Sequence, residues 1–178
     1  GNTRQTASAL TASTAVEGNY LADGLIHNRS DVDFFSFTAN ATSYTIYVSG
    51  EGYGVSNLDI CVKAYDQTGA LLKVCSPTDD INAHFDLEGL TVGRKYYLSV
   101  DGVGNGDAQS DGAGYSDYGS LGRYYVTVGP KATFALEERT SLRDLESVTA
   151  SLQEQYGLRI VPTATVASSC LPPETTEP

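Results

Sequence analysis

Short runs in which apolar and polar residues alternate fill the chain from about residue 20 to residue 129. In one run Tyr44, Ile46 and Val48 fall on the same face. A period of two built from β-branched and aromatic residues is typical of strands with one buried face. Turn-forming residues separate the runs at intervals of about eight to twelve positions, which favours a sandwich or barrel over a parallel α/β sheet. The other clear runs are Val32–Phe37, Leu58–Ala64, Tyr96–Val100 and Tyr124–Val128.

The pattern changes after the last of these strands. Apolar residues recur at helical spacing over Ser141–Tyr156, and strand-like segments flank it at Thr133–Leu136 and Leu158–Val161. We therefore predict a short β-α-β extension over residues 130–162 and an extended, proline-rich linker or tail over residues 163–178. A segment of this size rarely folds alone, so the extension is expected to pack on the sandwich or on another domain.

The composition is that of a globular, acidic protein. The 178 residues carry a formal net charge of -11, and the sequence pI is about 4.4. Nucleic-acid binding needs a basic face, so this charge argues against a nucleic-acid partner. No apolar stretch approaches the ~18 residues of a membrane span, so we expect no membrane insertion. The chain opens at Gly1 without a signal peptide, and we expect a processed or excised piece.

Two kinds of residue indicate the secretory route. Asn28 and Asn40 each begin an N-glycosylation sequon in a predicted turn, although such tripeptides also arise by chance. Cys61 and Cys75 flank a predicted hairpin and, allowing one residue of bulge, come close enough to form a cross-strand disulfide. The alternative is two small apolar residues that do not bond. Cys170 is left over and would pair with another chain, pair with a missing segment or stay free.

A long glycine-rich loop between Asp101 and Leu121 interrupts the strands. Connections of this length without structure of their own tend to be functional or disordered. The loop carries hard oxygen ligands of the kind that calcium takes, although their spacing is not that of an EF-hand. Calcium is the one cofactor that we consider, and the alternative is a set of turn-forming side chains. The candidate ligands are Asp101, Asn105, Asp107, Asp111 and Asp117.

The sequence offers no catalytic constellation. Neither His27 nor His84 has a partner at metal-ligand spacing, and His84 is expected to face the surface of a strand. The segment Gly114–Gly119 misses the G-x-S-x-G spacing of a nucleophile elbow by one residue. Because no nucleophile–base pair is found, we predict no catalytic residues and no intrinsic enzymatic activity.

Six phrases of the sequence are specific in their order and spacing: Gly1–Thr3, Gly24–Ile26, Asp31–Thr38, Asn57–Ile60, Tyr96–Gly102 and Tyr115–Gly122. Together they resemble the bacterial pre-peptidase C-terminal domain family over residues 1–129. The resemblance implies a jelly-roll-like β-sandwich attached to secreted hydrolases, commonly metallopeptidases or subtilisin-like peptidases. Such domains are non-catalytic, serve secretion, stabilisation or attachment to polymers such as collagen and chitin, and in some relatives bind calcium. The cysteine pair is unusual for the bacterial members.

Within that pattern, tyrosines of the long loop are the candidate ligand-binding residues. Tyr115 and Tyr118 would supply amphipathic contact area at small entropic cost, and the alternative is that they pack on the edge of the sandwich. The core is expected to contain Phe35, Phe37, Leu58, Ile60, Leu98 and Val100.

Three functions remain open at this point. The preferred one is a secreted or cell-surface accessory module that binds an extracellular polymer, of protein or polysaccharide, or the other domains of its parent. The second is a structural module of an extracellular matrix or cell-surface assembly, with Cys170 and the sequons serving linkage. The third is a fragment of an enzyme, with the segment after Pro130 forming the edge of a catalytic domain.

Overall fold

The computed structural model describes residues 1–52, 56–106 and 114–131 of the chain. Within these residues the structure is almost entirely β, with two short 3₁₀ turns at Arg4–Thr6 and Asp117–Gly119. The predicted β-α-β extension and the tail lie outside the described residues. The strands are β1 (Ser8–Ala9), β2 (Thr11–Ala12), β3 (Tyr20–Ile26), β4 (Val32–Thr38), β5 (Ser43–Gly50), β6 (Ile60–Tyr65), β7 (Leu71–Cys75), β8 (Ala83–Glu88), β9 (Lys95–Gly102), β10 (Asn105–Gly106), β11 (Gly114–Tyr115) and β12 (Gly122–Pro130).

The strands form two five-stranded sheets that pack face to face. Sheet A has the order β1-β4-β9-β6-β7, and sheet B has the order β2-β3-β12-β5-β8. All pairs are antiparallel except that of β1 with β4. Apart from the β6–β7 hairpin and the short strand β2 beside β3, neighbours in each sheet come from distant parts of the chain. The remaining connections between long strands cross from one sheet to the other, which is the connectivity of a jelly roll. The predicted jelly-roll-like β-sandwich is confirmed for the described part of the chain.

The core is formed by the alternating residues of both sheets. Tyr44, Ile46 and Val48 of β5 are fully buried, and their sheet neighbour β12 buries the alternate residues Val126 and Val128. The opposite sheet contributes its own inward face, so the two sets interdigitate as in other sandwiches. All six residues that we expected in the core are buried: Phe35, Phe37, Leu58, Ile60, Leu98 and Val100.

One tyrosine connects the two sheets through the core. The ring of Tyr124 in β12 is fully buried against Phe35, and its hydroxyl donates a hydrogen bond of 2.6 Å to Oδ2 of Asp33 in β4. The pKa of Tyr124 is raised, mainly because the phenol is desolvated and to a smaller extent because it donates to Asp33. The partner of Tyr124 in β3 is Gly24, where a Cβ atom would lie 2.2 Å from the phenol oxygen. Glycine is therefore required there to make room for the tyrosine. Asp33 therefore bridges the two sheets through its side chain.

The described ends of the predicted long loop carry regular structure. Asn105–Gly106 (β10) pairs with Gly114–Tyr115 (β11), and a 3₁₀ turn follows at Asp117–Gly119. This small hairpin lies near the start of β6, where the amide of Val103 donates to the carbonyl oxygen of Asp59 at 2.9 Å. No helix among the described residues is long and apolar enough to cross a membrane.

Candidate functional site

An open groove of about 490 Å³ lies at the end of the sandwich next to the β10–β11 hairpin. Three separate segments form its walls, and hydrogen bonds between backbone groups hold them together. The amide of Ile60 donates to the carbonyl oxygen of Ile81 at 2.9 Å, and the amide of Val103 donates to that of Asp59 at 2.9 Å. The groove is therefore built on the loop before β6, the loop before β8 and the segment from Tyr115 to Gly119. Its lining residues are Ser56, Asn57, Ile81, Tyr115, Ser116, Tyr118 and Gly119.

Tyr115 is held in the groove by a buried carboxyl group. Its hydroxyl donates a hydrogen bond of 2.7 Å to Oδ2 of Asp59, which is only 2% exposed, while 45% of Tyr115 remains exposed. Burial raises the pKa of Asp59, and the hydrogen bond from Tyr115 opposes that rise. Burial and the bond to Asp59 raise the pKa of Tyr115 in turn. The phenol is thus a fixed, neutral wall of the groove.

The backbone of Asp59 is fixed as firmly as its side chain. The buried hydroxyl of Ser120 accepts a hydrogen bond from the Asp59 amide at 2.9 Å and lies 3.2 Å from its carbonyl oxygen, to which it donates. The second carboxyl oxygen, Oδ1, is buried and has no hydrogen-bond partner among the described residues. Burying a polar atom without a hydrogen-bond partner costs free energy. The hydrogen bond from Tyr115 therefore offsets much of the cost of burying the Asp59 carboxyl group.

Tyr118 contributes the most exposed ring of the groove. It lies in the 3₁₀ turn Asp117–Gly119, and 77% of its surface is exposed. The two tyrosines that we predicted as ligand-binding residues therefore line one groove. Tyr115 is oriented by Asp59, and Tyr118 is free to present its ring to a large ligand. Whether a ligand binds there stays a prediction.

The described members of the predicted calcium set have other partners. Asp117 Oδ1 lies 3.7 Å from Nη2 of Arg29, and the side-chain amide of Asn105 donates to the carbonyl oxygen of Thr78 at 3.0 Å. Burial raises the pKa of Asp101, an effect that nearby Lys63 opposes. The described residues contain no group of three His, Cys, Asp or Glu side chains that could hold a metal ion. The other two predicted ligands, Asp107 and Asp111, lie outside the described residues, so calcium binding stays a prediction.

The predicted Cys61–Cys75 disulfide is wrong, because Cys61 is a free, buried thiol. Near the turn the hairpin pairs Tyr65 with Leu71, and continuing that register would place the two cysteines opposite each other. A bulge between Ala64 and Tyr65 shifts the pairing by one residue, so that Cys75 lies opposite Val62. A shift of one residue moves a side chain to the other face of a strand, and the two sulfur atoms therefore lie on opposite faces of sheet A.

Both sequon asparagines lie in turns at the surface. Asn28 is partly exposed between β3 and β4, and its Oδ1 accepts hydrogen bonds from the amide (2.9 Å) and hydroxyl (2.7 Å) of Ser30. Asn40 follows β4 and is exposed, and its amide donates to the hydroxyl of Tyr44 at 2.6 Å. The placement of both is compatible with glycosylation, which stays a prediction.

The two histidines occupy structural positions. His27 is exposed and contacts the buried carboxylate of Asp31 four residues further on. His84 lies in β8 with its ring edge-on to Tyr47, at a centroid distance of 5.8 Å.

The fold and the groove define a jelly-roll β-sandwich with an aromatic groove at one end. No protein-family model matches the chain, and no curated protein matches it. Among solved structures, the chain is similar to the pre-peptidase C-terminal domain of a collagenase from Bacillus anthracis, at 17% identity and a TM-score of 0.43, covering 72% of this chain and 99% of that one.

A second similar structure is PliG of Aeromonas hydrophila, a periplasmic inhibitor of g-type lysozyme. It is 12% identical, with a TM-score of 0.43, and the match covers 70% of this chain and 95% of that one. At these values neither similarity carries information about a ligand or an activity. The resemblance to the pre-peptidase C-terminal domain family therefore rests on the phrases of the sequence.

Proposed function

We propose that this chain is a non-catalytic accessory module of a secreted multidomain protein, on the resemblance a peptidase, and that it attaches its parent to a neutral, hydroxyl-rich extracellular polymer. The observation that carries the proposal is the pair of tyrosines in one groove. Tyr118 is 77% exposed beside Tyr115, whose hydroxyl is fixed by the buried Asp59.

The chemistry of the groove supports a polymer with apolar faces and many hydroxyl groups. A tyrosine ring offers an apolar surface with a polar end, and loses little side-chain entropy when a ligand packs on it. Asn57, Ser56 and Ser116 supply amide and hydroxyl groups for hydrogen bonds around these rings. None of the described residues that line the groove carries a formal charge, so it suits a neutral ligand better than an ionic one.

The charge of the whole chain further limits which polymers are suitable ligands. With a net charge of -11, the module repels anionic polymers, and the repulsion is strongest at low ionic strength. Neutral polysaccharides such as chitin and cellulose are free of this penalty. Collagen, to which the family resemblance also points, is the protein alternative to test beside them.

The test is retention of the purified chain on insoluble chitin, cellulose and collagen, each in millimolar calcium and in chelator. Tyr118→Ala removes the exposed ring at little expected cost to stability, because the side chain is mostly in water. The matched control is Tyr47→Ala, which removes a 40% exposed tyrosine from β5 of sheet B. Tyr47 does not line the groove. We expect wild type and Tyr47→Ala to be retained on a neutral polysaccharide and Tyr118→Ala to be lost.

Retention that survives Tyr118→Ala, or that both substitutions reduce equally, would refute the groove as the binding site. Retention on none of the polymers would refute the attachment function. A loss of retention in chelator would support calcium binding in the loop from Asp101 to Asp117, and equal retention in calcium and chelator would argue against a role for calcium in attachment.

A further inference from the structure

The outer face of sheet B carries half of the large apolar side chains that are exposed among the described residues. Eight such side chains are exposed, and four of them project from this face. They alternate along their strands with inward-facing residues and therefore point away from the core. Apolar side chains that gather on one face mark an interaction surface, whereas singly scattered ones need no explanation. The four are Leu21 and Leu25 of β3, Tyr47 of β5 and Tyr125 of β12.

A shallow hollow of about 330 Å³ lies in this face, over β2, β3 and β12. Its lining matches the chemistry of an arginine side chain. The carboxylate of Asp23 can accept two charge-assisted hydrogen bonds from a guanidinium group, and the ring of Tyr125 can take the same group in a cation–π contact. Leu21 supplies apolar surface for the methylene stem. The hollow therefore suits an arginine that enters from outside the face.

Two charged side chains of this face, Asp23 and Arg123, form no ion pair with another described residue. Both are exposed. In the register of β3 and β12, Asp23 lies opposite Tyr125 and Arg123 lies opposite Leu25. The four residues thus form the corners of a quadrilateral, with the two charges on one diagonal, and positions on such a diagonal are about 7–8 Å apart.

This arrangement is complementary to itself about a two-fold axis. In an isologous dimer, residue i of one copy contacts residue j of the other, and j contacts i. When two copies pack face to face about an axis along the diagonal through Tyr125 and Leu25, each of these two residues meets its own copy. Asp23 of each copy then meets Arg123 of the other. We propose that two copies of this chain form a symmetric dimer through the outer face of sheet B, in which Arg123 of each copy enters the hollow beside Asp23 of the other.

The distribution of charge favours this face for a second copy. The net charge of -11 opposes association of two copies through most of their surface. On this face, Lys131 pairs with Asp86 and Glu88 at one corner. Near the proposed axis, the dimer sets each exposed carboxylate of Asp23 against a guanidinium group of Arg123. A second copy is therefore met here by opposite charges on both sides of the axis.

The size of the face predicts a weak dimer. Strand β3 spans 7 residues, and β3, β12, β5 and β8 lie side by side. At about 3.4 Å per residue and about 4.8 Å per strand, the face measures roughly 24 Å by 19 Å. Such a face lies at the low end of specific interfaces, which bury about 800 Å² on each partner. Association is therefore expected to depend on protein concentration.

The test is sedimentation equilibrium of the full chain from about 1 μM to about 1 mM in about 0.15 M salt. We expect wild type to dimerise within this range. Asp23→Arg sets two arginines against each other across the axis and Arg123→Asp sets two carboxylates, so each should weaken self-association at least about tenfold. Asp23→Arg also makes the chain less acidic, so an effect of net charge alone would strengthen association instead. Mixing the two variants in equal amounts restores both pairs in a heterodimer, and association should return nearly to that of wild type.

Asp79→Arg and Arg94→Asp are the matched controls, because they make the same changes of charge at exposed residues outside this face. Neither should weaken self-association as the two test variants do, and circular dichroism checks that every variant folds. Four results would each overturn the proposal. They are a wild type that stays monomeric throughout the range, a dimer that Asp23→Arg and Arg123→Asp leave unchanged, controls that weaken it equally, and test variants that do not recover on mixing.

Discussion

The contact between Tyr115 and Asp59 makes a prediction that can be worked out in detail. Tyr115→Phe keeps the ring in the groove and removes the hydroxyl that donates to Asp59 Oδ2 at 2.7 Å. Because Oδ1 already lacks a partner among the described residues, the substitution leaves the carboxyl group of Asp59 with no hydrogen bond to its side chain there. The carboxyl is 2% exposed, so it stays desolvated in the variant.

The expected loss follows from the energy of such bonds. A hydrogen bond to a charged group contributes about 1.5–3 kcal/mol, and a neutral one about 0.5–1.5 kcal/mol. Since Tyr115 is 45% exposed, water can partly replace its hydroxyl, and we expect a loss of about 1–2 kcal/mol in the free energy of unfolding. For a chain of this size, that corresponds to a fall in Tm of roughly 2–8 °C. Urea unfolding followed by circular dichroism measures the change.

The pH dependence gives the sharper test. The pKa of Asp59 is raised by burial, so its contribution to stability is greatest below its ordinary pKa and declines as the pH rises through the folded-state pKa. The bond from Tyr115 favours the ionised carboxylate, so Tyr115→Phe raises that pKa further. The destabilisation should therefore be larger at about pH 7 than at about pH 4.

Two controls decide the outcome. Tyr118→Phe removes a hydroxyl from the mostly exposed neighbour, and it should change stability by less than about 0.5 kcal/mol. In an Asp59→Asn background the effect of Tyr115→Phe should be smaller and independent of pH, since the amide does not ionise. A Tyr115→Phe variant as stable as Tyr118→Phe, or equally destabilised at both pH values, would refute the reasoning.

Three further predictions concern other parts of the sandwich. Gly24→Ala places a Cβ atom 2.2 Å from the hydroxyl of the fully buried Tyr124, and we expect a destabilisation of about 1–3 kcal/mol in urea unfolding; wild-type stability would contradict the packing. Partial burial alone would raise the pKa of Asp86, but hydrogen bonds from Lys131 and Thr45 lower it. Lys131→Ala should raise that pKa in a carboxyl NMR titration and reduce the part of the stability that is lost as pH falls through it; an unshifted titration would argue against the contact. Burial raises the pKa of Cys61, so its thiol should react with iodoacetamide far more slowly in the folded protein than in urea, and equal rates would contradict its burial.

The strands and the core could be predicted from the sequence because alternate residues of a sandwich strand face the core. Apolar residues alternate along this sequence with the same period of two. The run Tyr44, Ile46 and Val48 became the buried face of β5. The other predicted runs became β4, β6, β9 and β12, with ends that agree within two residues. The order of strands in the sheets was not predictable in this way, since pairing between distant segments leaves no trace in a local pattern.

The candidate site was only partly predictable. The tyrosines were chosen because exposed tyrosines supply amphipathic contact area at small entropic cost, and the structure places both in one groove. Asp59, Asn57 and Ile81 were missed as site residues, because their association with the loop depends on contacts more than twenty residues away along the chain. One signal was present: Asp59 interrupts an apolar run between Leu58 and Ile60, and a carboxylate in such a position needs a partner.

The cysteine prediction failed for a local reason. The turn set the hairpin register correctly at Tyr65 and Leu71, and a single bulge then shifted it. Bulges depend on the fit of a strand to both of its neighbours, and β6 must also pair with β9. A hairpin considered alone, as the sequence presents it, cannot reveal that second constraint.

The position of β12 bears on how the chain folds while it is being synthesised. Residues 122–130 are synthesised after every other described strand, yet they lie in the middle of sheet B between β3 and β5. Sheet B therefore cannot close while the chain is still emerging, and the nascent polypeptide remains an incomplete sandwich until its last described strand is made. Closure that depends on such distant segments is slow, which delays compaction of sheet B until the final strand has been made.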